Sequence, residues 1–278
     1  MAFTANDVKK LREMTGAGMM ICKEALQQTE GNVEQAVEYL RKKGLASAEK
    51  KAGRATGDGL VDIAIAPDGK SAAMAEINCE TDFVAKTDQF KDLVKTLAQW
   101  ALAQGASALT PGDLPQDKAD LIKQTIVKTG ENIQFKRAAR LATGGVIESY
   151  IHMGSKLGVL VELEGPDKPE LKALGKELAM QVAASSPVVV SRTEVQPDMV
   201  EKEKEIYREQ LRGSGKPEPV IEKIVTGKLD KFYSEICLRE QAYIKDPQKK
   251  VDAVIKEYAA RLDGPVTVKQ FVRYRLGE

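Results

Sequence analysis

The sequence predicts an α+β protein, on three observations. A unit of strand, turn, return strand and helix occurs twice, opening at Gly59 and again at Gly145. Ahead of it, residues 4 to 44 carry three short stretches with helical spacing, and late in the chain residues 197 to 236 carry two more that read as a helical hairpin. The opening glycines are much further apart than the roughly 20 to 50 residues of a solenoid repeat, so the copies read as two duplicated, side-by-side α+β subdomains. The expected divisions are a three-helix module with a basic linker (1–54), a first core subdomain (55–140) and a second (141–278) interrupted by the hairpin (197–236).

Taken in order, Thr4 with Asp7 three residues later resembles a capping box, and Val8 and Leu11 then share a face until Gly16. A second helix is expected from Met19 to Thr29, stopped by Gly31. A third starts at the cap Asn32, carries Val33, Ala36, Val37 and Leu40, and is expected to end at Gly44. Three helices this short enclose only a marginal core, which suits a docking module. Met19 and Met20 are adjacent and cannot both face that core, so at least one is expected at the surface. Lys42 to Arg54 is basic and rich in small residues, and reads as a solvated linker.

In the first unit, Gly59 to Ile65 is a strand, Pro67-Asp68-Gly69-Lys70 a turn and Ala73 to Cys79 the return strand. A helix with Phe90, Leu93, Val94 and Leu97 follows to about Ala103. Asp117 to Lys128 reads as a further helix and Ile133-Gln134-Phe135 as a further strand. The second unit repeats the order: strand from Gly145 to His152, turn at Met153-Gly154-Ser155-Lys156, strand from Leu157 to Leu163 and helix from Leu171 to Ala184. The hairpin carries a narrow stripe of Val200, Tyr207, Leu211, Ile221, Val225, Leu229, Phe232 and Ile236 among charged residues, which predicts a protruding antiparallel coiled coil. Asp246-Pro247 is expected to start the last helix as N-cap and N1. Val266, Val268, Val272, Tyr274 and Leu276 then predict one closing strand of unbroken phase.

Composition excludes several functions. The 278 residues carry a net charge of only +1, which argues against a general nucleic-acid binder. No apolar run is long enough to span a bilayer and the start lacks a secretory leader, so the protein is expected in the cytoplasm, away from membranes. Cys22, Cys79 and Cys237 are widely spaced and odd in number, offering neither a disulfide framework nor a metal site. There is one histidine, no Gly-x-Ser-x-Gly and no phosphate-binding glycine loop, so no catalytic residue, cofactor or directly bound nucleotide is expected. One residue stands out instead. Phe83 is a bulky aromatic in a polar strand-to-helix turn, either a plug under its own helix or an exposed contact.

Two stretches carry a family resemblance: Thr15-Gly-Ala-Gly-Met-Met-Ile-Cys-Lys-Glu-Ala-Leu26 and Asn78-Cys-Glu-Thr-Asp-Phe-Val-Ala-Lys86. With Gly130-Glu-Asn-Ile133, Tyr150-Ile-His152 and Ser214-Gly-Lys-Pro217 at the hairpin tip, they resemble the elongation factor Ts family over essentially the whole chain. The resemblance implies a ubiquitin-associated-like N-terminal module, a two-part core, and guanine nucleotide exchange on elongation factor Tu during translation elongation. It implies that Asp82 and Phe83, with Thr81 and Val84 of the same motif, meet the partner GTPase near its magnesium and phosphate site. It further implies contacts from Arg12, Met19, Met20 and Lys23 in the module, from Lys51 in the linker, and from His152 and Ile244 in the second subdomain. Some relatives add a short helix after the position of Gly277-Glu278 that packs on the GTPase; a contact of that kind stays open for this chain, as does a homodimer.

Two other readings compete with exchange. One is a docking adaptor that binds a small protein domain through its first fifty or so residues. The other is an enzyme with Cys79 or Cys237 as nucleophile, which His152 would have to activate.

Overall fold

The computed structural model describes residues 3–278, the side chains of 45–49 excepted. Helix α1 (Ala5–Thr15) starts at a capping box, with Thr4 accepting from the Asp7 amide at 3.3 Å and Asp7 accepting from the Thr4 amide at 2.7 Å. Helix α2 (Met19–Gln28) follows, and Asn32 caps α3 (Val33–Lys51) through the Gln35 amide at 3.0 Å. Val8, Leu11, Cys22, Leu26, Ala36 and Leu40 close a small core among the three.

Helix α3 does not stop at Gly44, and the stretch read as a linker is helical as far as Lys51. Gly44 is there for close approach. A Cβ at that position would lie 2.4 Å from Val127 Cγ2, so the missing side chain lets α3 lie against α6 (Gln116–Thr129).

The first unit contains β1 (Asp58–Ile65), β2 (Ser71–Cys79), the one-turn helix α4 (Asp82–Ala85), α5 (Asp88–Leu102), the short β3 (Ala108–Leu109), α6 and β4 (Ile133–Ala142). Its sheet is antiparallel, in the order β1-β2-β4-β3. The second unit contains β5 (Val146–Ile151), β6 (Leu157–Glu164), α7 (Pro169–Ser185), α8 (Pro197–Leu211), α9 (Glu218–Ile236), the ribbon β7 (Ala242–Tyr243) and β8 (Asp246–Lys250), α10 (Val251–Leu262) and β9 (Thr267–Arg275). Its main sheet runs β5-β6-β9. Asp246-Pro247 therefore begins a strand, correcting the expected helix start. Asp246 pairs with Tyr243, and α10 begins at Val251, whose amide donates to the Gln241 carbonyl at 3.0 Å.

Both sheets are covered on both faces, which gives four layers. Ala73, Ala75, Ile77 and Cys79 of β2 face Phe90, Leu93, Val94 and Leu97 of α5. Ala72 and Met74, on the opposite face, meet Leu160 and Val272 of the second sheet. The second sheet's other face packs on α7 and α10 through Val159, Val161, Leu163, Leu174, Leu178 and Val254. The sheets approach closely at Gly158, where a Cβ would fall 2.7 Å from both Met74 Sδ and Val61 Cγ1. An ion pair lies in this interface. Arg137 Nε donates to the fully buried Glu76 at 2.7 Å, and the guanidinium stacks 4.2 Å from the Tyr274 ring centre.

The closing strand corrects a second expectation. Its phase is broken by a bulge: Gln270 pairs with Glu162 and Val268 with Leu163, leaving Lys269 without a partner. Val268 and Phe271 therefore face α7, while Val272 and Tyr274 face the first sheet. A matching bulge at Lys136 puts Phe135 opposite Ile77 and Arg137 opposite Glu76.

Helices α8 and α9 pair mainly with each other. Among the described residues α8 contributes no buried side chain and α9 only Val225 and Leu229. Arg208 forks onto Glu222 at 2.7 and 3.1 Å, and Lys228 lies 5.1 Å from the Tyr207 ring centre.

Gly158→Val should cost about 1 to 3 kcal/mol of stability by forcing the sheets apart, read as a lowered urea midpoint. Replacing residues 200–234 with a short Gly-Ser link should leave the melting of the rest nearly unchanged, because so little of α8 and α9 is buried. Loss of cooperative unfolding in that variant would show the pair to be part of the core.

Candidate functional site

The turn after β2 is fixed from both ends. The Thr81 hydroxyl caps α4 by accepting from the Val84 amide at 3.4 Å, and the Thr87 hydroxyl donates to the Val84 carbonyl at 2.7 Å while accepting from the Phe90 amide at 3.3 Å. With only one turn available, Val84 and Ala85 take the core side and Asp82 and Phe83 are left outward. Phe83 is 77% exposed, so it is not a plug. Asp82 accepts from Lys86 Nζ at 2.6 Å, a hydrogen bond that holds its carboxyl below the usual range.

A second turn lies on the same edge. The Val61 amide donates to the Ser155 carbonyl at 2.7 Å and Lys156 Nζ reaches Asp58 at 3.0 Å, so the β5–β6 turn sits beside the start of β1, where the Lys156 charge also acts on Asp82. His152 is exposed at the start of this turn, its Nδ1 sharing a 2.9 Å hydrogen bond with the Tyr150 hydroxyl. Next to it, Met153 is 89% exposed. Its exposure carried no signal in the sequence, because a methionine in a turn looks the same whether it folds back or projects.

The other expected contacts lie in several places. Arg12 lines a shallow cleft with Gln89 at the start of α5, so the end of α1 approaches the Phe83 turn. Met19 and Met20 are both exposed, Met20 at 72%, and Met20 and Lys23 share one surface patch with the exposed Ile21. Met14 is exposed as well, at a separate cleft that it shares with Val37 and Val127, and sequence spacing alone had singled out neither Met14 nor Ile21. Lys51 is half-buried at the end of α3. Ile244 is not on the Phe83 edge. It lies in the β7–β8 turn against α7, where its amide donates to Gln181 Oε1 at 2.8 Å.

Comparison with known proteins places the chain. The family model described as "Elongation factor TS" matches residues 80–278. Along nearly the full length, the chain is 48% identical to elongation factor Ts of Prosthecochloris aestuarii, covering 99% of this chain and 98% of that protein. It is 46% identical to the protein of that name from Chlorobaculum tepidum, with 99% and 98% covered. The counterpart from Halothermothrix orenii is 41% identical, with 100% and 93% covered. The chain belongs to the elongation factor Ts family.

The elongation factor Ts match begins at Glu80, immediately before the turn that presents Phe83, and the full-length relatives extend the likeness through the N-terminal helices. Thiol chemistry gains no support beside it. All three cysteines are buried, and burial pushes the Cys79 thiol up to about 12 and that of Cys237 to about 11, so both stay protonated at neutral pH. Among the described residues no cluster of His, Cys, Asp or Glu could hold a metal ion, and no helix is long and apolar enough to cross a membrane.

Native protein should therefore react with a thiol reagent at pH 7 far more slowly than the unfolded chain, which should titrate all three cysteines. A native thiol modified as fast as a free one would contradict the buried placement of Cys22, Cys79 or Cys237.

Proposed function

We propose that the protein is a guanine nucleotide exchange factor for elongation factor Tu, acting in translation elongation in the cytoplasm. Asp82 and Phe83 press against the partner GTPase near its magnesium and phosphate site. The observation that carries this reading is an aromatic ring 77% exposed on a turn capped at both ends, in a chain of this family. An aromatic side chain held out by a rigid turn is the kind of anchor that a partner's pocket covers at an interface. Family membership favours exchange over the adaptor reading.

Exchange makes and breaks no covalent bond, so it needs no catalytic residue in this chain. It needs a partner conformation that holds nucleotide poorly, and linkage makes the effect reciprocal: the factor weakens nucleotide binding as much as nucleotide weakens binding of the factor. Mg²⁺ tolerates little departure from octahedral geometry, so pressure from Asp82 and Phe83 beside the partner's metal site would be enough to weaken its hold on nucleotide.

In this reading Asp82 and Phe83 make the contact, whereas Thr81 and Val84, expected there too, hold the turn from behind, since Val84 is buried and the Thr81 hydroxyl caps α4. Arg12, Met19, Met20 and Lys23 engage the GTPase from a ubiquitin-associated-like module, with Lys51 at its junction. His152 and Ile244 meet the partner from the second core subdomain. The chain divides into 1–54, 55–140 and 141–278, and helices α8 and α9 form an antiparallel coiled-coil arm at 197–236.

The test is stopped-flow release of a fluorescent GDP analogue from elongation factor Tu, with and without the protein. Phe83→Ala should slow catalysed release by several-fold to about a hundredfold, since a contact of this kind contributes about 1 to 3 kcal/mol. Its melting temperature should stay near wild type, because an exposed ring contributes little to folding. An unchanged release rate would refute the wedge. Deleting residues 1–50 should greatly weaken partner binding while leaving a folded core, and full-rate exchange by that truncation would remove the N-terminal helices from the mechanism.

A further inference from the structure

We infer that Glu131 is a positioning residue for the Phe83 turn, an inference that rests on the exchange reading above. The β2–β4 ladder ends where Cys79 pairs with Ile133, and beyond it the backbone has no strand to pair with. A carboxylate takes the strand's place. Glu131 Oε2 accepts from the amides of Glu80 and Thr81 at 3.1 and 3.0 Å, and Oε1 accepts from the Thr81 hydroxyl at 2.6 Å.

The third hydrogen bond sets the direction of the helix. With its proton committed to Glu131, the Thr81 hydroxyl has only lone pairs to offer, and it accepts from the Val84 amide as the cap of α4. Glu131 thereby orients the cap, the cap orients the single turn, and the turn aims Phe83.

The clasp is reciprocal and extends to the N-terminal helices. Glu80 Oε1 accepts from the Asn132 amide at 2.6 Å and lies 3.5 Å from the Arg54 guanidinium. The Asn132 side-chain amide donates to the carbonyls of Ala52 at 3.3 Å and Arg54 at 2.8 Å. Residues 131 and 132 thus hold both the Phe83 turn and the segment that leaves α3. Charge-assisted hydrogen bonds of this kind are stronger than neutral ones and resist displacement by water. A wedge depends on such support, because a ring that is not held in place loses the benefit of its contact.

The experiment is GDP release from elongation factor Tu driven by the full-length chain, with Glu131→Ala, Glu131→Gln, Thr81→Val, Phe83→Ala and the pairing of each with Phe83→Ala. Glu131→Ala should lower the release rate at saturating factor several-fold to about a hundredfold, no more than Phe83→Ala itself. Glu131→Gln keeps one acceptor oxygen but puts an NH₂ donor in place of the other, so its rate should fall between wild type and Glu131→Ala. In the Phe83→Ala background, Glu131→Ala should change the rate by less than about twofold, since residues that act as a unit are not additive. Multiplicative losses in the double variant would overturn the inference.

Hydrogen exchange at the Glu80 and Thr81 amides reads the clasp without any partner. It should speed up in Glu131→Ala, and unchanged exchange would overturn the inference by itself. If Glu131→Ala does not fold, Thr81→Val breaks the same link from the other side and should give a smaller loss that also vanishes in the Phe83→Ala background. A wild-type chain that does not accelerate release would refute the exchange reading, and hydrogen exchange would still decide the clasp.

Discussion

The face-to-face contact between the two sheets is the constraint on which the rest of the structure depends. A single sheet with helices on one side leaves its other face to water; here each sheet uses that face to cover its neighbour. Ala72, Met74, Leu160 and the bare backbone at Gly158 set the spacing, and Arg137, held by Glu76 of its own sheet, stacks against Tyr274 of the other in the observed register. That register carries the β5–β6 turn to the start of β1, beside Asp82. His152 and Phe83 come from different sheets, and only the inter-sheet contact puts them on one edge.

On that edge a very short helix does a job that a longer one could not. Four residues allow no choice of face: once Val84 and Ala85 are buried, Asp82 and Phe83 point outward. The caps at Thr81 and Thr87 replace the cooperativity that a single turn lacks. A ring held this way is ordered before any encounter, so a contact made there would lose little conformational entropy.

Much of the fold was legible in the sequence. Capping residues and apolar spacing located α1, α2, both strand–turn–strand units and the α8–α9 pair, because those signals are local. The misreadings were all tertiary in origin. Gly44 reads as a stop but serves a helix crossing with Val127 as its neighbour. Asp246-Pro247 has the letters of a helix start, yet pairing with Tyr243 takes the segment into a strand. For Phe83 the residues left plug and contact equally open, and burial of Val84 decides between them. The motif Gly130-Glu-Asn-Ile133 was visible as a resemblance, but no spacing rule connects Glu131 to amides fifty residues earlier.

The bulge at Lys269 has a bearing on how this chain can change over generations. By slipping one residue out of the ladder, β9 serves two cores in turn, Val268 and Phe271 on one side and Val272 and Tyr274 on the other. Point replacements along the strand disturb one core at a time, and neighbouring side chains can adjust to them. Loss of the Lys269 codon would only close the bulge, since Val268 and Gln270 already face the consecutive residues Leu163 and Glu162, whereas loss of a codon elsewhere in the strand would turn the side chains between that point and the bulge toward the wrong core. Inheritance can therefore shorten this strand at its bulge, but has little freedom to do so on either side of it.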